Sequence, residues 1–332
     1  MPPLYLIEQG AKLQHDGRRL IVSKNDQELA STPLAHVSEI VILGNVGVTT
    51  PTMKLLLAEN IDVVFLTLDG DYCGRLIGAA TPHVVLRRQQ YRCQENATFA
   101  LTMAQRIVSG KLANLRVLLQ RHNRERNDAV ITSAIDALHH ALERVPRTTT
   151  LNALNGVEGA ATAAYFGAWK RLLKGDWKFE KRIRRPPTDP INVLLSFGYT
   201  LLAHAAQSAV QAVGLDPYAG FLHAVEYNRP SLALDLMEEF RVVVDGVIQW
   251  VCNSGQIQPN DFTPGDAARP IVMSDDAKRK FIQAYENRMN ETLLHPRQNE
   301  RLTLRRCILA QARGIVECIQ RQTPDYVPLA FR

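Results

Sequence analysis

At Pro82-His83-Val84-Val85-Leu86-Arg87-Arg88-Gln89-Gln90-Tyr91 the hydrophobic pattern of the chain changes period, and that change decides the fold class. Upstream, short apolar runs at 4–7, 19–22, 37–43, 61–68 and 72–77 read as strands. Asp16-Gly17, between the first two runs, suits a tight hairpin. A helical pattern at 51–59 separates the runs at 37–43 and 61–68, so this passage reads as a crossover unit. Downstream, apolar residues recur at helical spacing over 97–121, 127–144, 151–173, 191–213, from Pro230 to about 252, 274–290 and 299–322. Gly175 and Gly214 supply left-handed stops, and Pro230 and Ser274 supply starts. A loop rich in Pro, Gly and Asp spans 253–270. The expected class is α+β: a small N-terminal β-rich domain, 1–82, followed by a larger all-α C-terminal domain, 83–332.

The 332 residues, 46% of them hydrophobic, suffice to bury the cores of two domains. The five cysteines, Cys73, Cys93, Cys252, Cys307 and Cys318, are scattered without a CxxC pair and support neither a disulfide framework nor a zinc site. No charged-then-apolar leader and no unbroken apolar run long enough for a bilayer is read, so a cytoplasmic protein without membrane contact is expected. The chain contains no GxxxxGK[ST], GxGxxG or GxSxG pattern, which removes nucleotide hydrolysis, dinucleotide binding and nucleophile-elbow chemistry from the leading readings.

Three stretches place acids or an imidazole among small and apolar residues: Asn155-Gly156-Val157-Glu158-Gly159, Gly220-Phe221-Leu222-His223 and Asp235-Leu236-Met237-Glu238-Glu239. Hard divalent cations are bound by carboxylate oxygens with an occasional imidazole, so a metal site is the first hypothesis. Asp235 and Glu238 stand three apart on an expected helix and share a face, where two acids repel unless a cation or proton lies between them. Bland readings stand beside these. Asn155 with Glu158 fits a capping box, His223 a core histidine, and Asp235, Glu238 and Glu239 a solvated helix face.

The net charge is +6, and its distribution matters more than its total. From Lys170 to Arg185 eight basic residues (Lys170, Arg171, Lys174, Lys178, Lys181, Arg182, Arg184, Arg185) face only Asp176 and Glu180, with Trp169, Trp177 and Phe179 interleaved. Such a segment suits phosphate-backbone contact with optional base stacking, and equally a solvated helix end. Asp136 with His140, and His139 with Glu143, form i,i+4 pairs that read as exposed helical pairs.

Several of these stretches resemble the larger CRISPR adaptation protein, the Cas-one integrase and endonuclease family. The resemblance runs through Leu4-Tyr5-Leu6-Ile7-Glu8-Gln9-Gly10, Val41-Ile42-Leu43-Gly44-Asn45-Val46, Ile61-Asp62-Val63-Val64-Phe65-Leu66 and Leu86-Arg87-Arg88-Gln89-Gln90-Tyr91. It continues through Lys111-Leu112-Ala113-Asn114 with Leu118-Leu119. Most specific is Asp189-Pro190-Ile191-Asn192-Val193-Leu194-Leu195-Ser196-Phe197-Gly198-Tyr199. The resemblance implies that Glu158, His223 and Glu238 bind one Mg²⁺ or Mn²⁺ ion. Glu238 stands where many members have aspartate, and Asp235 is either a further ligand or a group behind the ligands.

The same resemblance implies a β-rich dimerisation domain at 1–82 and a helical metal-binding catalytic domain at 83–332. The implied activity is metal-dependent DNA endonuclease and integrase chemistry: a 3′-hydroxyl of a short duplex attacks a phosphodiester of the CRISPR repeat and inserts a new spacer, for antiviral defence. Implied partners are DNA, a second copy of the chain and a dimer of a small ferredoxin-like Cas-two protein. Catalytic roles fall on Glu158, His223, Glu238 and Asp235, and backbone contact with DNA on Lys170, Lys181, Arg182, Arg184 and Arg185. Two other readings stay open: a non-catalytic DNA-binding scaffold, and a metal-dependent nuclease unconnected with CRISPR.

Overall fold

The structure is a computed structural model that describes residues 3–78 and 83–331. Pro82, where the sequence pattern changes, lies outside the described residues. The chain divides into two compact units, Met1–Thr81 and Pro82–Arg332.

The first unit holds β1 (Leu4–Leu6), β2 (Lys12–Asp16), β3 (Arg19–Lys24), β4 (Gln27–Pro33), β5 (Glu39–Leu43), β6 (Gly47–Val48), α1 (Thr50–Ala58), β7 (Asp62–Leu66) and β8 (Tyr72–Leu76). They form two four-stranded sheets, β1-β5-β7-β8 and β4-β3-β2-β6. The expected crossover is present: β5 and β7 pair in parallel, Glu39 opposite Asp62, with α1 between them in sequence. A strand covered on both faces reads as a continuous apolar run, and every residue of β5 is buried. The hairpin differs from expectation. Its first arm is Lys12–Asp16, and Leu4–Leu6 pairs with β5 in the other sheet. The next hairpin, β3 to β4, turns at Asn25-Asp26, both at positive φ (51° and 62°), as a two-residue turn matched to strand twist requires. Leu13, Leu20, Ile40, Ile42, Leu56 and Val63 fill the core between the layers.

The second unit is mostly helical: α2 (Val84–Glu95), α3 (Ala97–Arg126), α4 (Ala129–Arg144), α5 (Leu151–Trp169), α6 (Pro190–Ala212), α7 (Ser231–Met237), α8 (Arg241–Asn253), α9 (Asp275–Asn290) and α10 (Leu304–Arg321). Side chains of Asn96, Asp128, Thr150, Asp189, Ser274 and Thr303 cap the starts of α3, α4, α5, α6, α9 and α10 by accepting free backbone N–H groups. The 30-residue α3 buries Phe99, Met103, Ile107, Leu112, Leu115 and Leu119 along one stripe, each contributing about 1.5–3 kcal/mol of hydrophobic stabilisation. By length and mean hydropathy α6 would suit a bilayer span, although Asn192, Ser196, His204 and Gln207 interrupt its apolar run, and most of the stretch is buried within this unit.

The sequence reading of this half as all-α needs two additions. Phe262–Pro264 (β9) pairs with Ile271–Met273 (β10), inside the stretch read as loop. Thr292–His295 (β11) pairs with Glu300–Thr303 (β12), which moves the start of the last helix from 299 to Leu304. The helix expected to run unbroken from Pro230 is also interrupted. A single 3₁₀ turn, Glu238–Phe240, separates α7 from α8. That turn lies against α3 and sets the geometry of the site.

Candidate metal and catalytic centre

The centre is assembled from four pieces of the helical unit: the middle of α3, the second turn of α5, the loop before α7, and the 3₁₀ turn after it. Gly220 makes the loop possible. A Cβ there would meet the Ser231 carbonyl carbon at 2.7 Å and Asp235 Oδ2 at 2.8 Å, so only glycine lets the loop backbone lie against the start of α7.

This close approach delivers three backbone amides to the fully buried Asp235 carboxylate. Oδ2 accepts from Phe221 N (2.6 Å) and Leu222 N (3.0 Å), and Oδ1 from His223 N (3.0 Å). Oδ1 also takes the His223 ring Nδ1 at 2.7 Å. A carboxylate so placed only accepts, so Nδ1 carries a proton, and Nε2 is the ring nitrogen left to face the centre. Nε2 faces Glu238 Oε1 at 3.7 Å. Asp235 therefore has its acceptor capacity committed to the loop and the imidazole, an arrangement that suits the second of the two roles read from the sequence, a group behind His223.

Glu238, buried on the 3₁₀ turn, presents Oε2 to Arg241 Nε at 2.8 Å and to Lys111 Nζ at 2.6 Å. Burial alone would raise its pKa. The Arg241 and Lys111 charges, with His223 nearby, overcome that and hold the carboxyl well below the usual carboxylate range. Arg241 is itself fixed, its guanidinium 4.4 Å over the Tyr199 ring. Tyr199 donates to Asp245 Oδ1 at 2.6 Å, and Tyr165 to Oδ2 at 2.8 Å. Burial pushes Asp245 up to about 6 against those hydrogen bonds and the Arg241 charge.

Glu158 stands eight residues into α5, whose cap is Thr150, so the capping-box reading of Asn155 does not hold. Its Oε1 accepts from Thr162 Oγ1 at 2.8 Å and from Lys111 Nζ in a short ion pair. Lys111 thus bridges Glu158 and Glu238, and the cation that two neighbouring acids demand is supplied by the chain itself. Glu158, His223 and Glu238 surround one region, with Lys111 between the carboxylates. Among the described residues no three His, Cys, Asp or Glu side chains are gathered tightly enough to hold an ion as they stand. The donor set, two carboxylates and an imidazole nitrogen, fits Mg²⁺ or Mn²⁺ in chemistry.

Lys111 and Arg241 were given no role from sequence. A signal existed for Lys111: it sits between Val108 and Leu112 on the buried stripe of α3, where an unpaired charge is not tolerated. Glu239 departs from the solvated-face reading as well. It is buried and turned away from the centre, accepting from Tyr326 OH (2.5 Å), Leu329 N (2.5 Å) and the Gln311 amide (3.1 Å). Burial pushes Glu239 up to about 7, opposed by these hydrogen bonds.

The basic segment divides. Lys181, Arg184 and Arg185 are exposed, and Lys170 pairs with Glu180 at 2.9 Å. Arg182 points inward, donating to Ile183 O (2.7 Å), Asn192 Oδ1 (2.9 Å) and Ser196 Oγ (3.1 Å). It is therefore withdrawn from the expected DNA contacts, because its fork is spent on the fold. The interleaved aromatics are core rather than stacking platforms: Trp169 and Phe179 meet edge to face at 5.8 Å, and Trp177 meets Phe262 at 6.4 Å. His139 and Glu143 form an exposed pair at 3.7 Å, in keeping with a surface helix.

The family model described as CRISPR associated protein Cas1 matches residues 4–287. A relative from Thermus thermophilus, "CRISPR-associated endonuclease Cas1 3", is 39% identical over 332 residues, covering 99% of this chain and 97% of its own. Among solved structures, a casposase bound to integration product shares the fold with a TM-score of 0.85 at 22% identity, over 99% of this chain and 93% of that one. A Cas6-RT-Cas1–Cas2 complex matches with a TM-score of 0.84 at 27% identity, over 98% of this chain and 36% of that one.

Proposed function

The chain belongs to the Cas1 family of CRISPR-associated proteins, and on that premise we propose that it is a divalent-metal-dependent DNA endonuclease and integrase that inserts new spacer DNA into a CRISPR array. The observation that carries this reading is the oriented imidazole: Asp235 fixes His223 so that Nε2 faces Glu238, with Glu158 joined to the same point through Lys111. Glu158, Glu238 and His223 Nε2 would hold Mg²⁺ or Mn²⁺. Such an ion, when bound, neutralises charge developing on the phosphodiester oxygens and orients the attacking 3′-hydroxyl. The protein's own part is to aim His223 Nε2 at the centre, to keep Glu238 ionised, and to lead the duplex in along Lys181, Arg184 and Arg185.

Relatives named as CRISPR-associated endonucleases support the activity, and the Cas1–Cas2 complex among the structural matches supports assembly with a Cas2 dimer. Pairing of two copies through the β-rich unit belongs to the same reading. The test is integration of a labelled duplex into a plasmid carrying a repeat, with Mg²⁺ or Mn²⁺, with chelator, and with 3′-dideoxy ends. Joined product is expected only with metal and a free 3′-hydroxyl. Product from dideoxy ends, or in chelator, contradicts the reaction.

A further inference from the structure

We propose that Lys111 is a resident counter-cation that competes with the divalent ion for Glu158 and Glu238, so that this lysine sets how weakly the protein binds metal. The inference rests on the metal reading above and adds a residue to it.

Lys111 Nζ lies between Glu158 Oε1 and Glu238 Oε2, 2.6 Å from the latter, with only 5% of its side chain exposed. Glu158 and Glu238, the two acids an ion would need, are each already paired with a cation, Lys111 or Arg241, and Asp235 behind His223 adds one further negative charge, so little negative charge is left over before any metal arrives. Adding a doubly charged ion with both cations in place leaves a surplus of positive charge in a site largely closed to water, where like charges repel strongly. One side chain must give way, and the geometry points to which. Arg241 is held by its bond to Glu238 and by the Tyr199 ring, itself fixed on Asp245. Lys111 is a compact charge on a flexible four-carbon stem, and its partners are the two carboxylates that the ion needs. Until metal arrives, the same ammonium prevents those carboxylates from repelling each other.

The full-length chain without DNA is titrated with MnCl₂, reading free Mn²⁺ by electron paramagnetic resonance, for wild type, Lys111→Met and Lys111→Arg. Lys111→Met should bind at least about tenfold more tightly than wild type, since removing one unit of repulsion at this range is worth a factor of that order. Lys111→Arg keeps the charge and should bind no more tightly than wild type. Without metal, Lys111→Met should melt below wild type, and Mn²⁺ should recover it where NaCl of equal ionic strength does not. If Lys111→Met fails to fold alone, refolding in Mn²⁺ but not in NaCl reports the same competition, and failure in both overturns it. Equal or weaker Mn²⁺ binding by Lys111→Met overturns the role of Lys111 and leaves the metal reading standing. No Mn²⁺ binding by any of the three proteins removes the metal reading itself.

Discussion

Position 235 shows how one side chain decides the use of another. Asp235 is fully buried, and its two oxygens serve three amides and one imidazole proton, so it fixes the loop and the orientation of the His223 ring together. Asp235→Asn places an amide N–H₂ where only acceptors are wanted, leaving at least one buried donor facing another. Strand transfer should fall about 10–100-fold, the range seen when the group behind a metal-binding histidine is changed. Mn²⁺ affinity should fall with it while duplex affinity stays. Unchanged Mn²⁺ binding by the Asp235→Asn variant would show that His223 needs no such orientation. Much of this centre was legible in sequence, because acids and an imidazole among small apolar residues are chemically conspicuous. Its cations were not. Lys111 and Arg241 come from positions 47 residues before Glu158 and three after Glu238, and only packing brings them together.

Among the elements, the 3₁₀ turn at Glu238–Phe240 was hidden because its residues continue the apolar spacing of a helix. What tightens the backbone there is tertiary: Glu239 is drawn to the C-terminal segment, and Asn114 of α3 donates to both Glu239 O (2.9 Å) and Leu329 O (2.8 Å). The hairpins at 262–273 and 292–303 were missed for a related reason, since their arms are only three or four residues long and too short to show a period of two. The C-terminal strap passes so close to α3 that a Cβ on Gly110 would lie 2.3 Å from Pro328 Cβ. Gly110→Ala must push that strap away, at a cost of about 1–3 kcal/mol for overpacking a filled contact. The thermal midpoint should drop, and chymotrypsin should cut near Tyr326 faster than in wild type. Unchanged cleavage would mean that the strap does not depend on this contact.

For the whole molecule, the α+β class was legible because strand runs and helical runs occupy separate parts of the chain, divided near residue 82. Surface chemistry was legible only in outline. Charge counting gave eight equal cations over 170–185, whereas the fold turns Arg182 inward and leaves Lys181, Arg184 and Arg185 exposed. Replacing Arg184 and Arg185 together by alanine should weaken binding equally for two unrelated duplexes and lower the log-log salt slope by about two. An unchanged slope would return this segment to a solvated helix end. Metal-dependent transfer at the Glu158–His223–Glu238 centre is tested most directly by Glu158→Ala and His223→Ala, each assayed for joining a duplex to repeat-bearing plasmid in Mg²⁺ and Mn²⁺ at saturating DNA. Loss of joined product, with duplex affinity near wild type, is the expected result, because these groups serve the transition state more than the bound duplex. Wild-type joining by either variant would contradict the assignment of the centre.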